Sequence, residues 1–470
     1  DENIAQAVPN VRASQWMEEN IPLFECSQKN FEEMYYYRWW TLRKHIKETP
    51  VGYGMTEFLV NRSYADKYNL IACAIGHHIY ESRWLRNPEY LNQIIHTWYR
   101  GNEGGPMAKM TKFSSWNADA VLGRYMVDGN KEFLLDMVKD LEAEYARWEK
   151  TNRLSNGLYW HGDVQDGMEE SISGGRRKQY ARPTINSYMY GNAKALSLIG
   201  IMTGDEGMAM KYGLKADSIK TLVQDKLWNT DHHFFETMRG DASAEVREAI
   251  GYIPWYFNLP DASSQYDVAW KEVMDEKGFS APYGLTTAER RHPEFRTHGV
   301  GKCEWDGAIW PFASAQTLTA MANFMNNYPQ TVLTDSVYFH QMERYVESQH
   351  HRGRPYIGEY LDEVTGYWLK GDQERSRYYN HSTFNDLMIT GLIGLRPRMD
   401  NTVEVNPLIP EGKWDYFCLD NVLYHGRNLT ILWDKDGSRY QRGKGLHIYV
   451  DGKEVGHADT LTRVLCENVL

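Results

Sequence analysis

The sequence has few cysteines, no basic excess and no long hydrophobic run, and each absence excludes a class of protein. Its five cysteines are scattered, odd in number and without C-x-x-C spacing, so they predict neither a disulfide framework nor a zinc site. The formal net charge is −11, which disfavours a nucleic-acid partner. No run of about 18 apolar residues occurs, so we predict no membrane span.

Several motifs are also missing. No P-loop, nucleophile elbow or dinucleotide fingerprint is present. Three pairs of adjacent histidines, beginning at His77, His232 and His350, lack the i,i+4 spacing of a helical zinc site. We therefore predict no metal and no cofactor.

Aromatic residues are what the chain has in excess. It contains 16 Trp and 32 Tyr among 470 residues, and with Phe the aromatic share is 13%. Such rings bind the flat faces of sugars or pack in a core, and composition alone favours neither. The hydrophobic share of 42% is enough for a large core.

Apolar residues recur at helical spacing from Phe31 to Ile393 and predict about twelve helices. One of them is expected over Ala244–Ile253, ended by Pro254. Short turns such as DGN and TGD join the helices in pairs, and long ring-rich loops separate the pairs. Helical hairpins must stack or close on one another to bury their faces, and these lack the fixed period of an open solenoid. We predict a mainly α fold, an (α/α)6 toroid of six helical hairpins with its long loops at one mouth.

The pattern changes after Gly394 to alternating apolar and polar residues rich in β-branched side chains, bounded by turns such as VDGKE. This predicts a small antiparallel β domain, with packing or capping favoured over carbohydrate binding. The predicted domains are an extended N-terminal lead-in at 1–30, the toroid at 31–394 and the β domain at 395–470.

Three loops between hairpins join carboxylates to aromatic rings. The first, Leu158–Arg177, has the sequence LYWHGDVQDGMEESISGGRR, which holds acids beside rings and glycines, an environment that raises a carboxyl pKa. An Asp/Gly-rich surface turn is the alternative. The second runs from Lys302 to Phe312 and the third from Pro355 to Trp368. The candidate residues of these loops are Trp160, Asp163, Asp166, Glu169, Glu170, Trp305, Asp306, Trp310, Tyr356, Glu359 and Trp368.

Glycoside hydrolysis uses two carboxyls, one protonated to assist the leaving oxygen and one ionised to activate water or attack the sugar. Tryptophan and tyrosine stack on sugar faces. Arg296 and His298, in the loop before Lys302, are suited to orienting hydroxyls or a charged group.

The three loops resemble a clan of inverting glycosidases with (α/α)6 barrels. It includes the trehalases of glycoside hydrolase family 37 and the processing α-glucosidases and mannosylglycerate hydrolases of family 63. Their acid segment is similar to Asp166-Gly-Met-Glu-Glu-Ser, and their base segment to Gly358-Glu-Tyr-Leu-Asp-Glu-Val-Thr-Gly. The run Trp305-Asp-Gly-Ala-Ile-Trp-Pro-Phe resembles a helix start of the clan, and Tyr378-Tyr-Asn-His-Ser its segment before the last helix.

The resemblance implies that Glu169 is the general acid and Glu359 the general base of an inverting glycosidase, and we expect exo action if the pocket is closed. The clan has Asp at the acid position, and Glu170 and Asp166 remain alternatives there. It also implies a carbohydrate substrate, bound by residues of these segments, among them His381. With the non-Met start at Asp1 and a likeness to six-hairpin glycosidases of polysaccharide-degrading gut bacteria, it implies a periplasmic or secreted protein.

Two other functions fit the same composition. A uronate lyase or sugar epimerase on this toroid uses a base such as His298 or Tyr356, with an arginine pairing the substrate carboxylate. A non-catalytic glycan-binding protein uses the rings alone.

Overall fold

Helices joined by long loops make up most of the chain in the computed structural model, which describes residues 6–470. Their starts follow capping rules: α4, for example, begins at Pro88 with Asn87 Oδ1 accepting from the Glu89 N–H at 3.0 Å. The α-helices of the described residues are α1 (Ala13–Asn20), α2 (Lys29–His45), α3 (Ile75–Ser82), α4 (Pro88–Arg100), α5 (Asn117–Asp128), α6 (Lys131–Asn152), α7 (Pro183–Thr203), α8 (Glu206–Lys226), α9 (Ile253–Tyr256), α10 (Ser264–Asp267), α11 (Pro311–Asn327), α12 (Asp335–Ser348) and α13 (Asn385–Leu387).

The short turns predicted from DGN and TGD are present. Gly129 ends α5 with φ +66°, and Asn130 Oδ1 accepts from the first turn of α6. Gly204 ends α7 with φ +73°, and Asp205 caps α8 in the same way. A left-handed glycine followed by a polar cap reverses the chain within two or three residues. Each pair of helices therefore packs as a hairpin.

The predicted helix over Ala244–Ile253 is wrong. The chain is a short strand at Ala242–Ser243, then a 3-10 turn at Ala249–Tyr252 that leads into α9. Pro254 lies at the start of α9 and does not end a helix, because the first turn needs no proline N–H.

The strands are mostly short pairs beside the loops, together with one larger sheet near the C-terminus. In chain order they are β1 (Leu23–Cys26), β2 (Ile46–Thr49), β3 (Gly52–Met55), β4 (Trp160–His161), β5 (Tyr180–Ala181), β6 (Trp228–Asn229), β7 (Phe234–Phe235), β8 (Met238–Arg239), β9 (Ala242–Ser243), β10 (Ser280–Ala281), β11 (Gly284–Leu285), β12 (His350–His351), β13 (Arg354–Pro355), β14 (Val403–Val405), β15 (Tyr416–Tyr424), β16 (Arg427–Asp434), β17 (Gly445–Val450), β18 (Lys453–Ala458) and β19 (Val464–Cys466).

The larger sheet is antiparallel, with the strand order β1-β15-β16-β17-β18. Asp451 and Gly452, in the predicted turn between β17 and β18, both have positive φ, as a tight hairpin turn requires. Strand β1 comes from the N-terminal segment and pairs with β15 in the register Leu23↔Asp420. The segment predicted as an extended lead-in thus contains a helix, α1, and an edge strand of this sheet; its residues 1–5 lie outside the described part.

The core is a continuous cluster of buried hydrophobic side chains that runs from the first helices into the C-terminal sheet. Half of the tryptophans are among the largest fully buried side chains of the described residues: Trp39, Trp84, Trp98, Trp116, Trp255, Trp270, Trp368 and Trp414. Much of the aromatic excess therefore serves packing. Among the described residues, no helix is both long enough and apolar enough to cross a bilayer.

Candidate active site

The three predicted loops meet around one cavity of about 700 Å³, within the usual range for small-ligand sites. The first loop contributes Trp160 and Glu169, the second Trp305 and Trp310, and the third Glu359. The other lining residues are Glu57, Tyr64, Ile71, Cys73, Thr111, Lys112, Phe113, Arg147, Trp148, Thr151, Asn152, His161, Val164, Gln165, Gly167, Arg176, Cys303, Phe312, Arg375, Tyr379 and His381.

Glu169 reaches the cavity from a tight turn of the first loop. Gly167 has φ +71° and packs beside Cys73, and the backbone of any other residue would be strained there. Burial is the main reason that the pKa of Glu169 is raised to about 7; the charges of Asp163 and Glu359 also raise it, whereas a backbone hydrogen bond and Arg176 lower it. A carboxyl with this pKa is a proton donor near neutral pH.

Neither alternative acid has this environment. Glu170 does not line the cavity; its carboxylate lies 3.2 Å from Arg176 Nη2 and 3.8 Å from Lys302 Nζ. Asp166 is buried, and its Oδ2 accepts from Arg182 Nε at 2.5 Å and from Thr184 Oγ1 at 2.6 Å. Burial alone would raise the pKa of Asp166, but the Arg182 charge and the hydrogen bonds outweigh it and lower the pKa to about 2.

The contacts of Asp166 predict a structural role. Asp166→Asn removes the negative charge that pairs with the buried Arg182 guanidinium. We expect a loss of about 3–5 kcal/mol in the free energy of unfolding. Urea unfolding of the purified variant measures this loss. The control is Glu170→Gln, whose partner Arg176 is exposed and whose loss should stay below about 1 kcal/mol. Equal losses in the two variants would contradict the assignment.

Glu359 lies in the third loop with 5% of its surface exposed. Its Oε2 is 3.4 Å from Arg375 Nη2 and accepts from Ser376 Oγ at 3.3 Å. The loop is attached to the second loop through a β-bridge between Ile309 and Leu361. The carboxylate thus has a fixed cationic neighbour and a fixed position on the cavity wall.

Stacked rings form the wall between the second and third loops. The rings of Trp305 and Trp310 stack at 4.3 Å between centroids, and the ring of Tyr360 stacks on Trp310 at 4.4 Å. Tyr360 Oη also donates to the Lys302 carbonyl at 2.5 Å, which links the two loops. Such a stack presents a rigid aromatic surface to a ligand.

Of the residues predicted to bind substrate, the structure places Trp160, Trp305, Trp310 and His381 on the cavity wall with the two glutamates. The other residues predicted to bind substrate do not line the cavity: Asp163, Asp166, Arg296, His298, Asp306, Tyr356 and Trp368.

The three charged side chains of the 294–306 loop that are predicted to bind substrate pair with groups of the same loop or of the third loop. Arg296 lies 2.7 Å from Glu304 and 2.5 Å from Glu363. Asp306 Oδ2 accepts from the backbone N–H of His298 at 2.6 Å. The His298 ring is 3.2 Å from Glu294. These contacts hold the loop together, and none of these three side chains lines the cavity.

The remaining predicted residues are packed behind the wall. Trp368 is 1% exposed and donates to the carbonyl of His350 at 3.0 Å. Tyr356 packs against it, with ring centroids 5.4 Å apart. Asp163 is buried in the first loop, and its charge raises the pKa of Glu169.

Sequence reasoning missed a third carboxyl at the cavity, Glu57. It follows β3 and is 4% exposed; its Oε1 accepts from Tyr379 Oη at 2.5 Å and its Oε2 from Cys73 Sγ at 3.1 Å. Burial is the main reason that the pKa of Glu57 is raised to about 7; the charges of Glu359 and Glu169 act in the same direction, against the two hydrogen bonds. The one available signal was a lone acid in the apolar run MTEFLV.

Within residues 6–470, the His, Cys, Asp and Glu side chains form no group of three arranged to hold a metal ion. What the cavity offers is acid–base chemistry: three carboxyls, two with pKa values near 7, beside aromatic rings.

Two family models match the chain. One, described as a mannosylglycerate hydrolase MGH1-like glycoside hydrolase domain, matches residues 67–382. The other, described as the C-terminal domain of glycosyl hydrolase family 65, matches residues 395–457. The first match includes Glu169 and Glu359, and Glu57 lies before it.

Solved structures are also similar to the chain. A protein named "Sialidase" is 84% identical over the whole of this chain with a TM-score of 0.99, but this chain spans only 43% of its length. A GH63 mannosylglycerate hydrolase from Thermus thermophilus, in complex with glucose, is 10% identical over 76% of this chain and 99% of its own, with a TM-score of 0.57. A GH78 family rhamnosidase of a Bacillus species is 10% identical over 88% of this chain and 40% of its own, with a TM-score of 0.60. The last two likenesses are of fold alone.

Proposed function

The chain belongs to the mannosylglycerate hydrolase MGH1-like family of glycoside hydrolases, and on that premise we propose that it hydrolyses a glycosidic bond of an oligo- or polysaccharide with inversion of the anomeric carbon. In this proposal Glu169 is the general acid and Glu359 the general base. The observation that carries it is the presence of both side chains on one ring-walled cavity, although 190 positions separate them in the chain.

The two environments support two different roles. Glu169 is desolvated and surrounded by like charge, so it holds a proton near neutral pH and can give it to the departing glycosidic oxygen. Glu359 has Arg375 and Ser376 beside Oε2, which suits a carboxylate that takes a proton from water as the water attacks the anomeric carbon. We expect the two carboxyls to lie roughly 6.5–9.5 Å apart, since an attacking water must fit between base and sugar.

We also propose exo action. A cavity of about 700 Å³ is the size of a pocket for a small ligand, whereas a long cleft would be needed to bind the middle of a polysaccharide. The sugar cut off is then the terminal one, held inside the cavity.

The (α/α)6 toroid is part of the same proposal. Helix α13, at the end of the series, contacts α2 and α3 at its beginning. Glu81 of α3 accepts from the backbone N–H groups of Asn385 and Asp386 at 2.9 Å, and Arg83 pairs with Asp386. Contact between the two ends of the helical series supports closure. For the domains, the family 65 match from residue 395 supports the boundary after Gly394.

The test is a screen of plant and host glycans and 4-nitrophenyl glycosides, with products separated by chromatography. Sialyl glycosides belong in the panel because the longer, similar protein is named a sialidase. On the best substrate, NMR of the first product formed should show the anomer opposite to that of the substrate. The same anomer would indicate retention and a carboxyl separation of about 5 Å, and an unsaturated product would indicate a lyase.

The activity should fall at alkaline pH. The acid must be protonated, and with a pKa of about 7 for Glu169 we expect kcat/KM to fall about tenfold for each pH unit above about 7. Rates measured from pH 4 to 9 on the best substrate test this. The Glu169→Gln variant should lack that alkaline limb, whereas an unchanged limb in the variant would assign it to another group.

A further inference from the structure

Glu57 is a buried carboxyl that the proposed acid–base pair does not use. Its two hydrogen-bond donors, Tyr379 and Cys73, are both neutral groups. No Lys, Arg or His nitrogen lies within 4.0 Å of its carboxylate in the part of the chain that the structure describes. Among its neighbours is an apolar cluster that contains Phe58 and Ile71.

An acidic side chain in such a place is unfavourable, because burial without a cationic partner is not compensated. Glu57 nevertheless lines the cavity together with Glu169 and Glu359. Unfavourable placements such as a buried carboxyl without a cationic partner occur mainly at functional sites.

The acceptor capacity of Glu57 is not exhausted. A carboxylate has about four acceptor positions, and the tyrosine hydroxyl and the thiol occupy one on each oxygen. The remaining positions are available to a ligand in the cavity. The two donors also fix the rotation of the carboxyl group, so that its geometry is set before a ligand binds.

We propose that Glu57 is a positioning residue that accepts hydrogen bonds from ring hydroxyls of the sugar held between Glu169 and Glu359. The inference rests on the hydrolysis proposed above and goes beyond it, because it names a contact that determines specificity. It also defines one requirement on the sugar, which is a free ring hydroxyl placed to donate to Glu57.

The test uses the 4-nitrophenyl glycoside or oligosaccharide that the wild-type protein hydrolyses fastest. Glu57→Gln retains the shape and an acceptor for Tyr379, but it presents an amide to the sugar. We expect kcat/KM to fall about 10- to 100-fold, mainly through a higher KM, as for a lost hydrogen bond to a charged group. The melting temperature should stay the same or rise, because a desolvated carboxyl has been removed. A variant with wild-type kcat/KM, or one whose loss of activity follows a lower melting temperature, would overturn the proposal.

Glu144 offers a matched control. It also accepts from a tyrosine, Tyr99, at 2.5 Å, and burial raises its pKa to about 7, but it does not line the cavity. Glu144→Gln should therefore leave kcat/KM within about twofold of wild type, since it changes no group that touches the ligand.

Monodeoxy analogues of the released sugar identify the hydroxyl. If Glu57 binds it, removing that one hydroxyl weakens inhibition of the wild type about tenfold and leaves inhibition of Glu57→Gln unchanged, as in a double-mutant cycle. If each missing hydroxyl weakens inhibition of the wild type and of Glu57→Gln by the same factor, the proposed contact is contradicted. Failure of the hydrolase proposal is recognised separately, by wild-type rates in both Glu169→Gln and Glu359→Gln.

Discussion

Glu169→Gln should lower kcat by about 10²–10⁴-fold on substrates whose leaving group is a sugar hydroxyl. A sugar alkoxide is a poor leaving group, and the amide has no proton to give it. The leaving group of a 2,4-dinitrophenyl glycoside departs as a stable phenolate and needs no proton, so the same variant should be much less impaired on this substrate. Steady-state kinetics on both substrates measures the difference.

Glu170→Gln is the control for this result. The residue is adjacent in the chain, has the same chemistry and does not line the cavity; its carboxylate pairs with Arg176 and Lys302. Its kinetics should match those of the wild type. If instead Glu170→Gln shows the leaving-group dependence and Glu169→Gln does not, the acid is Glu170.

Glu359→Gln should lower kcat by about 10²–10⁴-fold on every substrate, activated or not, because attack of water needs a base whatever the leaving group. Azide attacks without losing a proton, and added azide should restore part of the rate. The product should then be a glycosyl azide of inverted configuration, which mass spectrometry and NMR identify.

An exposed glutamate close in sequence serves as the comparison. Glu374 is exposed and does not line the cavity, and Glu374→Gln should keep the wild-type rate. A glycosyl azide of retained configuration from Glu359→Gln would contradict the role of base. It would indicate a retaining enzyme in which another carboxylate still forms the covalent intermediate that azide then opens, with Glu359 as the acid and base residue of that enzyme.

The periodic parts of the fold were predictable because their signals are local. Helical spacing located α5 to α8, and the glycines of the DGN and TGD turns located their ends. Alternation located β15 to β18. The segment after β9 was mistaken for a helix because its apolar residues are close in sequence but serve a 3-10 turn. The predicted likeness to the family 63 enzymes is confirmed at the level of family and fold.

The site was predictable only where a residue's neighbours in sequence are also its neighbours in space. Glu169 and the stacked Trp305 and Trp310 belong to short loops rich in such neighbours. Arg296 has the same composition around it, but its charge is satisfied by Glu304 and Glu363, a pairing that only the folded loop reveals.

Glu57 gave almost no signal in the sequence. Its partners Cys73 and Tyr379 are 16 and 322 positions away, so its environment exists only after the series of helices has folded. A lone acid in an apolar run is the trace that such a residue leaves, and it does not distinguish a ligand contact from an internal hydrogen bond.

The edge strand β1 makes the two ends of the polypeptide interdependent. A fragment that starts at residue 395 would keep the β15–β16 pair but leave the other edge of β15 exposed, and a fragment that ends before residue 395 would leave Leu23–Cys26 unpaired. Separate expression of the two parts should therefore yield insoluble material. A synthetic peptide of residues 21–28, added during refolding, would then keep the C-terminal fragment in solution.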